Sequence, residues 1–238
     1  MAPTELALRP AEAVDLPGIA ELLIRARAAA YPSMPHGIHP PDEVRGWVSG
    51  WDLGTHPVWV AVADGIRGYA RFTDVWLDDL YVEPDAQAGG IGSALLELVK
   101  AQRPEGFCLW VFESNEPARA FYRARGLVDL ERTDGADNEE KAPDIRMAWA
   151  GRDPIAFYRR LIDDVDVQLG DLLNRRTALT RAVQGVKPTT ERDLDREREI
   201  ARALALRAPI LGEERAARIV HAIITESLDA VAPAAPGE

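Results

Sequence analysis

Two stretches of this chain concentrate residues whose types and spacing could do chemistry. The first is LDDLYVEPDAQAGGIGSALLELVK, residues 77–100. An apolar run ends at Val82, a glycine-rich turn follows, and helical periodicity begins at about Ile91. Gly89, Gly90 and Gly92 let the backbone approach a ligand closely, and the amides of such a turn, together with a helix start, form an anion site. No Lys-Ser/Thr pair follows the turn, which excludes Walker-type phosphate chemistry, and the spacing is not GxGxxG, which disfavours a dinucleotide fold. Asp78 and Asp79 before the turn, and Glu113 at the end of the next strand, are candidate bases. Alternation along a strand puts only one of Asp78 and Asp79 on the site face.

The second stretch starts after residue 153. Apolar residues recur at Tyr158, Ile162, Val165, Leu169, Leu172, Leu179, Val183 and Val186 in a 4-3 spacing, and Arg176 occupies a position of the same seam. A guanidinium there needs a carboxylate or an anionic ligand. Lys187 lies one position past the seam and Arg159 beside its start. Asp193, Arg196 and Glu197 share one face of a second helix, and Ser227 lies on the apolar stripe of a third. Basic residues and a serine projecting from apolar stripes of three helices would hold a small dicarboxylate.

The elements that must position these groups differ between the two halves. Helical periodicity covers 12–30, 93–102 and 116–125. Strands are expected at 58–63, 68–73, 76–82, 107–112, 127–132 and 145–149, with a hairpin at Gly65, a Pro-rich loop at 32–41 and an acidic loop between the last two strands. Intermixed strands and helices make the first part mixed α/β. The second part has no strand signal: one helix at 154–186, which at 1.5 Å per residue is roughly 50 Å long, and shorter helices at 191–206 and 213–231. Two short helices cannot cover the long one, so its seam implies a partner helix from a second chain. Gly151 and Pro154 punctuate the seam between parts, giving expected domains 1–150 and 151–238, with a disordered Pro/Ala-rich tail at 232–238.

Composition bounds the partners. The 238 residues carry a formal charge of −11, of which residues 1–150 hold −10. Such acidity argues against nucleic-acid or anionic-membrane binding and hints at a cationic or amine substrate. The single Cys108 permits neither an internal disulfide nor a thiolate metal cage, and His36 and His39 in the Pro-rich loop make a weak metal claim. His221 is read as structural. No signal peptide and no membrane-spanning run is seen, so a cytoplasmic protein without a metal is expected.

Gln87-x-x-Gly90-x-Gly92 between a strand and a helix resembles the acyl-CoA pyrophosphate loop of the GNAT acyltransferase superfamily. The stretch NEPARAFYRARGL, residues 115–127, resembles that family's second motif, and the likeness extends over about 4–149. The resemblance implies an acyl-CoA N-acyltransferase fold and acetyl-CoA as co-substrate, with direct attack by a free amine of a small-molecule acceptor. It implies that Leu80 and Val82 pair through their backbones with the pantetheine arm. Gln87 and the amides of Ala88, Gly90, Ile91, Gly92 and Ser93 would hold the pyrophosphate, Asn115 would touch the CoA arm, and Tyr122 would protonate the leaving thiolate.

The second part resembles the all-helical, intertwined-dimer chorismate mutases, through YRRLIDDVDVQLGDLLNRR at 158–176, Lys187, RDLDRERE at 192–199 and IITES at 223–227. That resemblance implies a homodimer of three-helix chains converting chorismate, or binding a similar dicarboxylate. Arg176 and Arg196 would bind the carboxylates, Arg159 would reach in from the other protomer, and Lys187 would contact a carboxylate and the ether oxygen. Asp193 and Glu197 would bind the hydroxyl, and Ser227 would flank the ring. One position departs: where the family has Gln or Glu one turn after the serine, this chain has Val231, which can donate nothing. Three readings therefore stand: a two-activity enzyme, an acetyltransferase whose helical domain only dimerises it or senses a metabolite, and a CoA-binding scaffold without catalysis.

Overall fold

The computed structural model of the chain describes residues 6–186 and 192–232. Cα packing divides it into two units, Met1–Tyr158 and Arg159–Glu238. Lys187 and the tail beyond residue 232 lie outside the described residues.

In the first unit the order is β1 (Ala7–Pro10), α1 (Leu16–Ala29), α2 (Pro41–Ser49), β2 (Val58–Ala63), β3 (Gly65–Phe72), β4 (Leu77–Val82), α3 (Ile91–Gln102), β5 (Phe107–Phe112), α4 (Glu116–Arg123), β6 (Val128–Arg132) and β7 (Asp144–Trp149). Strands β1 to β4 form one antiparallel sheet in sequence order, and β5-β7-β6 forms a second. Among the described residues the two sheets are joined through an isolated parallel bridge, Trp76 to Cys108. Beyond it β4 and β5 part, which leaves one edge of β4 without a ladder partner among the described residues.

Alternation builds two cores from these strands. Ala70, Phe72, Leu109, Val111 and Met147 point to one side and pack with Leu95, Leu96 and Val99 of α3. Val60 and Tyr69 point to the other and pack with Ile19, Leu22 and Leu23 of α1 and Val48 of α2. Gly68 sits where α3 crosses β3: a Cβ there would meet Ile91 and the Tyr81 carbonyl at 3.0 Å, so glycine permits the close seat of the α3 start. Cys108 is buried, as a small residue in an apolar strand.

Helix α5 (Pro154–Val186) begins in the first unit, where Phe157 is buried. A Cβ on Gly106 would stand 2.5 Å from the Phe157 ring, so the first turn of α5 packs directly on that glycine. The packing division therefore falls inside α5, after the punctuation at 151–154. In the second unit α6 (Leu194–Arg207) and α7 (Gly212–Asp229) pack together, burying Ala201, Ala216, Val220 and Ser227. The α5 seam stays open: Ile162, Val165, Leu169, Leu172, Leu179 and Val183 are each 49–61% exposed.

Candidate functional site

The open edge of β4 is the first part of the site. The Glu83 amide donates to the Arg67 carbonyl at 2.9 Å on the β3 side. Backbone groups alternate along a strand, so Tyr81 also faces β3, while Leu80 and Val82 turn their N–H and C=O groups to the parted side. The strand leads into the glycine-rich turn. There Ala88 (φ +62°) and Gly90 (φ +89°) adopt left-handed backbone conformations, and Gly90 is the N-cap of α3. Residues 87–90 are exposed, and the amides of Ile91, Gly92 and Ser93 have no carbonyl one turn earlier within α3. An extended thioester arm on the strand edge and an anionic group on the helix start both fit this cradle.

Arg125, just past α4, adds a cation beside the turn that the sequence reading missed. Its guanidinium donates to Ser93 Oγ at 2.6 and 3.1 Å and stacks 3.8 Å from the Phe121 ring centroid. The two residues are 32 apart in sequence, and only the packing of α4 beside α3 joins them.

A cleft of about 680 Å³ lies between the sheets, lined by β4, by β5, by the start of α4 and by the loop after β6. Asp78, Asp79, Leu80, Asn115 and Tyr122 all reach it. Asn115 caps α4, its Oδ1 accepting from the Ala118 amide at 3.2 Å. Tyr122 is 9% exposed, and burial pushes its phenol well above the usual range, so it stays protonated at neutral pH.

The paired aspartates differ. Asp79 is opposite Arg71 in the β3–β4 register, and Arg71 Nε donates to it at 2.5 Å. Arg71 itself lies over Trp47 and Trp51, 5.2 and 4.7 Å from their centroids. Burial raises the Asp79 carboxyl, and Arg71 opposes that rise. Asp78 sits where the register shifts, is exposed, and has no ion pair among the described residues. Desolvation at the cleft wall raises its pKa as well. Glu113 pairs with Arg132 at 2.6 Å and does not line the cleft.

The remaining wall is acidic. Asp78, Asp79, Glu131, Asp137, Glu139, Glu140 and Asp144 line it against one guanidinium, Arg27, which pairs with Glu140 at 2.5 Å. Buried Asp144 organises the loop after β6, accepting from Thr133 Oγ1 and from Asn138 Nδ2 at 3.0 Å. His39 ties this loop to α2: Nδ1 is 2.9 Å from Glu43 and Nε2 is 3.1 Å from Glu139. Carboxylates only accept, so the protonated ring can donate to both, and the pair raises its pKa, Glu43 first and Glu139 second.

In the helical unit Arg176 donates through Nη1 to Ser227 Oγ at 2.6 Å and to the Ile223 carbonyl at 3.2 Å, so seam arginine and stripe serine do meet. Asp193 caps α6, accepting from the Arg196 amide at 2.9 Å. The Arg196 side chain pairs with Glu199 on the exposed surface, and Arg159 is exposed on α5. Glu197 is held by Arg192 through two bonds of 2.7 and 2.9 Å, and Arg192 also donates to Thr225 Oγ1 at 2.9 Å on α7. Arg192, which no periodicity singles out, joins the α6 start to α7. His221 stands 3.1 Å from Arg192 in the same cluster.

Residues 54–127 match the family model for the acetyltransferase (GNAT) domain, and residues 158–230 match that for chorismate mutase type II. The chain joins a GNAT acetyltransferase domain to a chorismate mutase type II domain. Among curated relatives, the peptidyl-lysine N-acetyltransferase YjaB of Escherichia coli is 31% identical over 97 residues, covering 40% of this chain and 65% of that protein. The peptidyl-lysine N-acetyltransferase YiaC of the same organism is 28% identical over 152 residues, 60% of this chain and 95% of its own length. The solution structure of apo YjaB superposes with a TM-score of 0.52 at 23% identity, over 62% of this chain and 99% of that one. A GCN5-related N-acetyltransferase from Rhodopseudomonas palustris gives 0.51 at 19% identity, over 63% and 98%. These likenesses fix the GNAT α/β fold of the first unit, and the long helices of the second accord with the mutase domain. GNAT acetyltransferases use acetyl-CoA.

Proposed function

We propose that the GNAT domain transfers an acetyl group from acetyl-CoA to the primary amine of a small acceptor. The observation that carries this reading is the open β4 edge, Leu80 and Val82, running directly onto the unpaired amides at the start of α3. Leu80 and Val82 hold the pantetheine arm, residues 87–93 with Arg125 hold the pyrophosphate, and Asn115 reaches the arm from the far wall. Asp78 takes a proton from the acceptor ammonium, and Asp79 is fixed by Arg71. The amine nitrogen then attacks the thioester carbonyl, the C–S bond breaks with its electron pair on sulfur, Tyr122 gives its proton to make the free thiol, and the second proton of the acylated nitrogen returns to the tyrosinate while Asp78 releases the first to water. The measurement is thiol release by the full chain with acetyl-CoA and an amine panel. Tight acetyl-CoA binding without transfer to any amine would leave only the scaffold reading.

For the helical domain we infer a homodimer that binds chorismate or a similar dicarboxylate. The open seam of α5 is covered by a second copy, which is also how Arg159 enters the partner's site. Arg176, Arg196 and Lys187 meet the carboxylates and the ether oxygen, Asp193 and Glu197 meet the hydroxyl, and Ser227 flanks the ring while it holds Arg176. Rearrangement of chorismate to prephenate is unimolecular, so the residues' task is to hold a compact conformer and stabilise charge on the ether oxygen. Val231 favours a second reading, in which the domain dimerises and senses its ligand but turns over slowly. One missing preorganised donor costs on the order of 10²–10³ in rate. Prephenate formation by the full chain decides between them. No product from the native chain, with turnover appearing in Val231→Gln, would sink the two-activity reading and support a degenerate site.

A further inference from the structure

Beside the acidic cleft lies a second cavity of about 600 Å³, between α1, α2 and the loop that joins them. Its apolar lining is Leu23, Ile24 and Ala28 from α1, Val44 and Trp47 from α2, and Ile38 from the loop, with Arg27, His36, His39, Glu43 and Glu139 as its polar lining. Trp47 and Ile38 are 51% and 53% exposed, so large apolar surface faces this space uncovered. Arg27 and Glu139 line both cavities, which therefore adjoin at those two residues. The volume is within the range of about 300–1,000 Å³ typical of small-molecule sites.

The two cavities differ in what they ask of an occupant. On the cleft side seven carboxylates line the wall; Glu140, Asp79, Glu131 and Glu139 pair with Arg27, Arg71, Arg146 and His39, and Asp78, Asp137 and Asp144 have no ion pair among the described residues. That wall attracts an ammonium and repels a carboxylate. On the α1–α2 side, the apolar residues gain by covering an apolar group. An amino acid meets the first demand poorly, because its carboxylate would enter a cleft whose carboxylates outnumber the cations paired with them. A polyamine meets the second poorly, because it has no apolar body to bury.

We propose that the acceptor is a primary arylalkylamine, with its aromatic ring in the α1–α2 cavity against Trp47 and its amine reaching the cleft past Arg27 and Glu139. This rests on the transferase reading above and adds the acceptor class to it. The reaction is the same transfer, giving the N-acetyl arylalkylamine and free CoA.

The test is steady-state thiol release by the full chain with tryptamine and phenethylamine, against tryptophan, phenylalanine, spermidine, ethanolamine and a lysine-containing peptide. The arylalkylamines should exceed their carboxylated counterparts and spermidine by roughly 100-fold in kcat/KM. Ala28→Trp, at an exposed position of α1, fills the cavity, and Ile38→Asp puts a charge on its exposed wall. Each should raise KM for tryptamine about tenfold with kcat nearly kept, and leave ethanolamine unchanged. Equal use of tryptophan and tryptamine, preference for spermidine or the peptide, or an unchanged KM in both variants would overturn the proposal while thiol release kept the transferase reading alive. Absence of transfer to every amine would overturn both.

Discussion

Arg125 Nη2 donates to Ser93 Oγ at 2.6 Å, so the end of the α4 segment is tied to the first turn of α3, where the unpaired amides lie. The guanidinium also donates to the Phe121 carbonyl at 2.9 Å and stacks on that ring, which fixes its orientation. A preoriented cation at a helix N-terminus strengthens binding of a phosphate-bearing ligand. Arg125→Ala should raise KM for acetyl-CoA about tenfold with kcat little changed. Arg125→Lys should recover only part of the loss, because an ammonium cannot make the forked contact. Equal KM values in the native chain and both variants would show that Arg125 only packs α4 on α3.

Tyr122 offers a cleaner separation of binding from chemistry. It is buried at the cleft wall, and burial raises its phenol so that it remains a proton donor across neutral pH. Tyr122→Phe keeps the ring and removes only the hydroxyl. Acetyl-CoA affinity and melting temperature should be nearly unchanged, while kcat falls by about 10²–10⁴. A kcat within about twofold of native would assign the leaving-group proton to another source.

The pH dependence of the acceptor side follows from His39. Its folded pKa is raised by Glu43 and Glu139, relative to about 6.5 in the unfolded chain. The tie between α2 and the loop after β6 is therefore fully present below that value and is lost as pH rises through the folded pKa. Amide exchange in residues 133–143 should quicken on passing from pH 6 to alkaline conditions, beyond the base-catalysed rise seen elsewhere. His39→Gln should exchange at the faster level throughout. Because the ring is half exposed, the effect on global stability should be slight.

Much of this arrangement was legible because it is local. Helix α5 follows from one unbroken 4-3 pattern, and the turn before α3 follows from three glycines in four residues after an apolar strand. Two elements escaped. β1 is four residues ending at Pro10, and its ladder is to β2, some fifty residues on. α2 begins at Pro41 and contains Gly46, so breakers mask its short apolar spacing of Val44, Trp47 and Val48. Packing against α1 sustains it where propensity does not. Alternation also predicts that only one of Asp78 and Asp79 faces the site, yet both line the cleft, because the β3–β4 register shifts opposite Asp78. Arg125–Ser93 and Arg192–Glu197 are invisible for a related reason: each pair depends on how elements dock or cap, not on periodicity.

The α5 seam carries the last prediction. Leu169 and Leu172 are 49% and 59% exposed on one helix face, with Val165 and Leu179 in line with them. Contiguous apolar surface of this kind marks an association site in a water-soluble domain. A second copy laid along it would bury these side chains at about 25 cal/mol per Å² of apolar surface. Leu169→Glu with Leu172→Glu places two carboxylates on the seam without touching Arg176, so sedimentation should show a dimer for the native chain and a monomer for the double variant. Chorismate binding should fall with it, because Arg159 of the partner subunit no longer reaches the site. Acetyl transfer should persist, since no residue of the β4–α3 cradle lies on this helix. A native chain that sediments as a monomer would sink the intertwined arrangement, whatever its ligand binding.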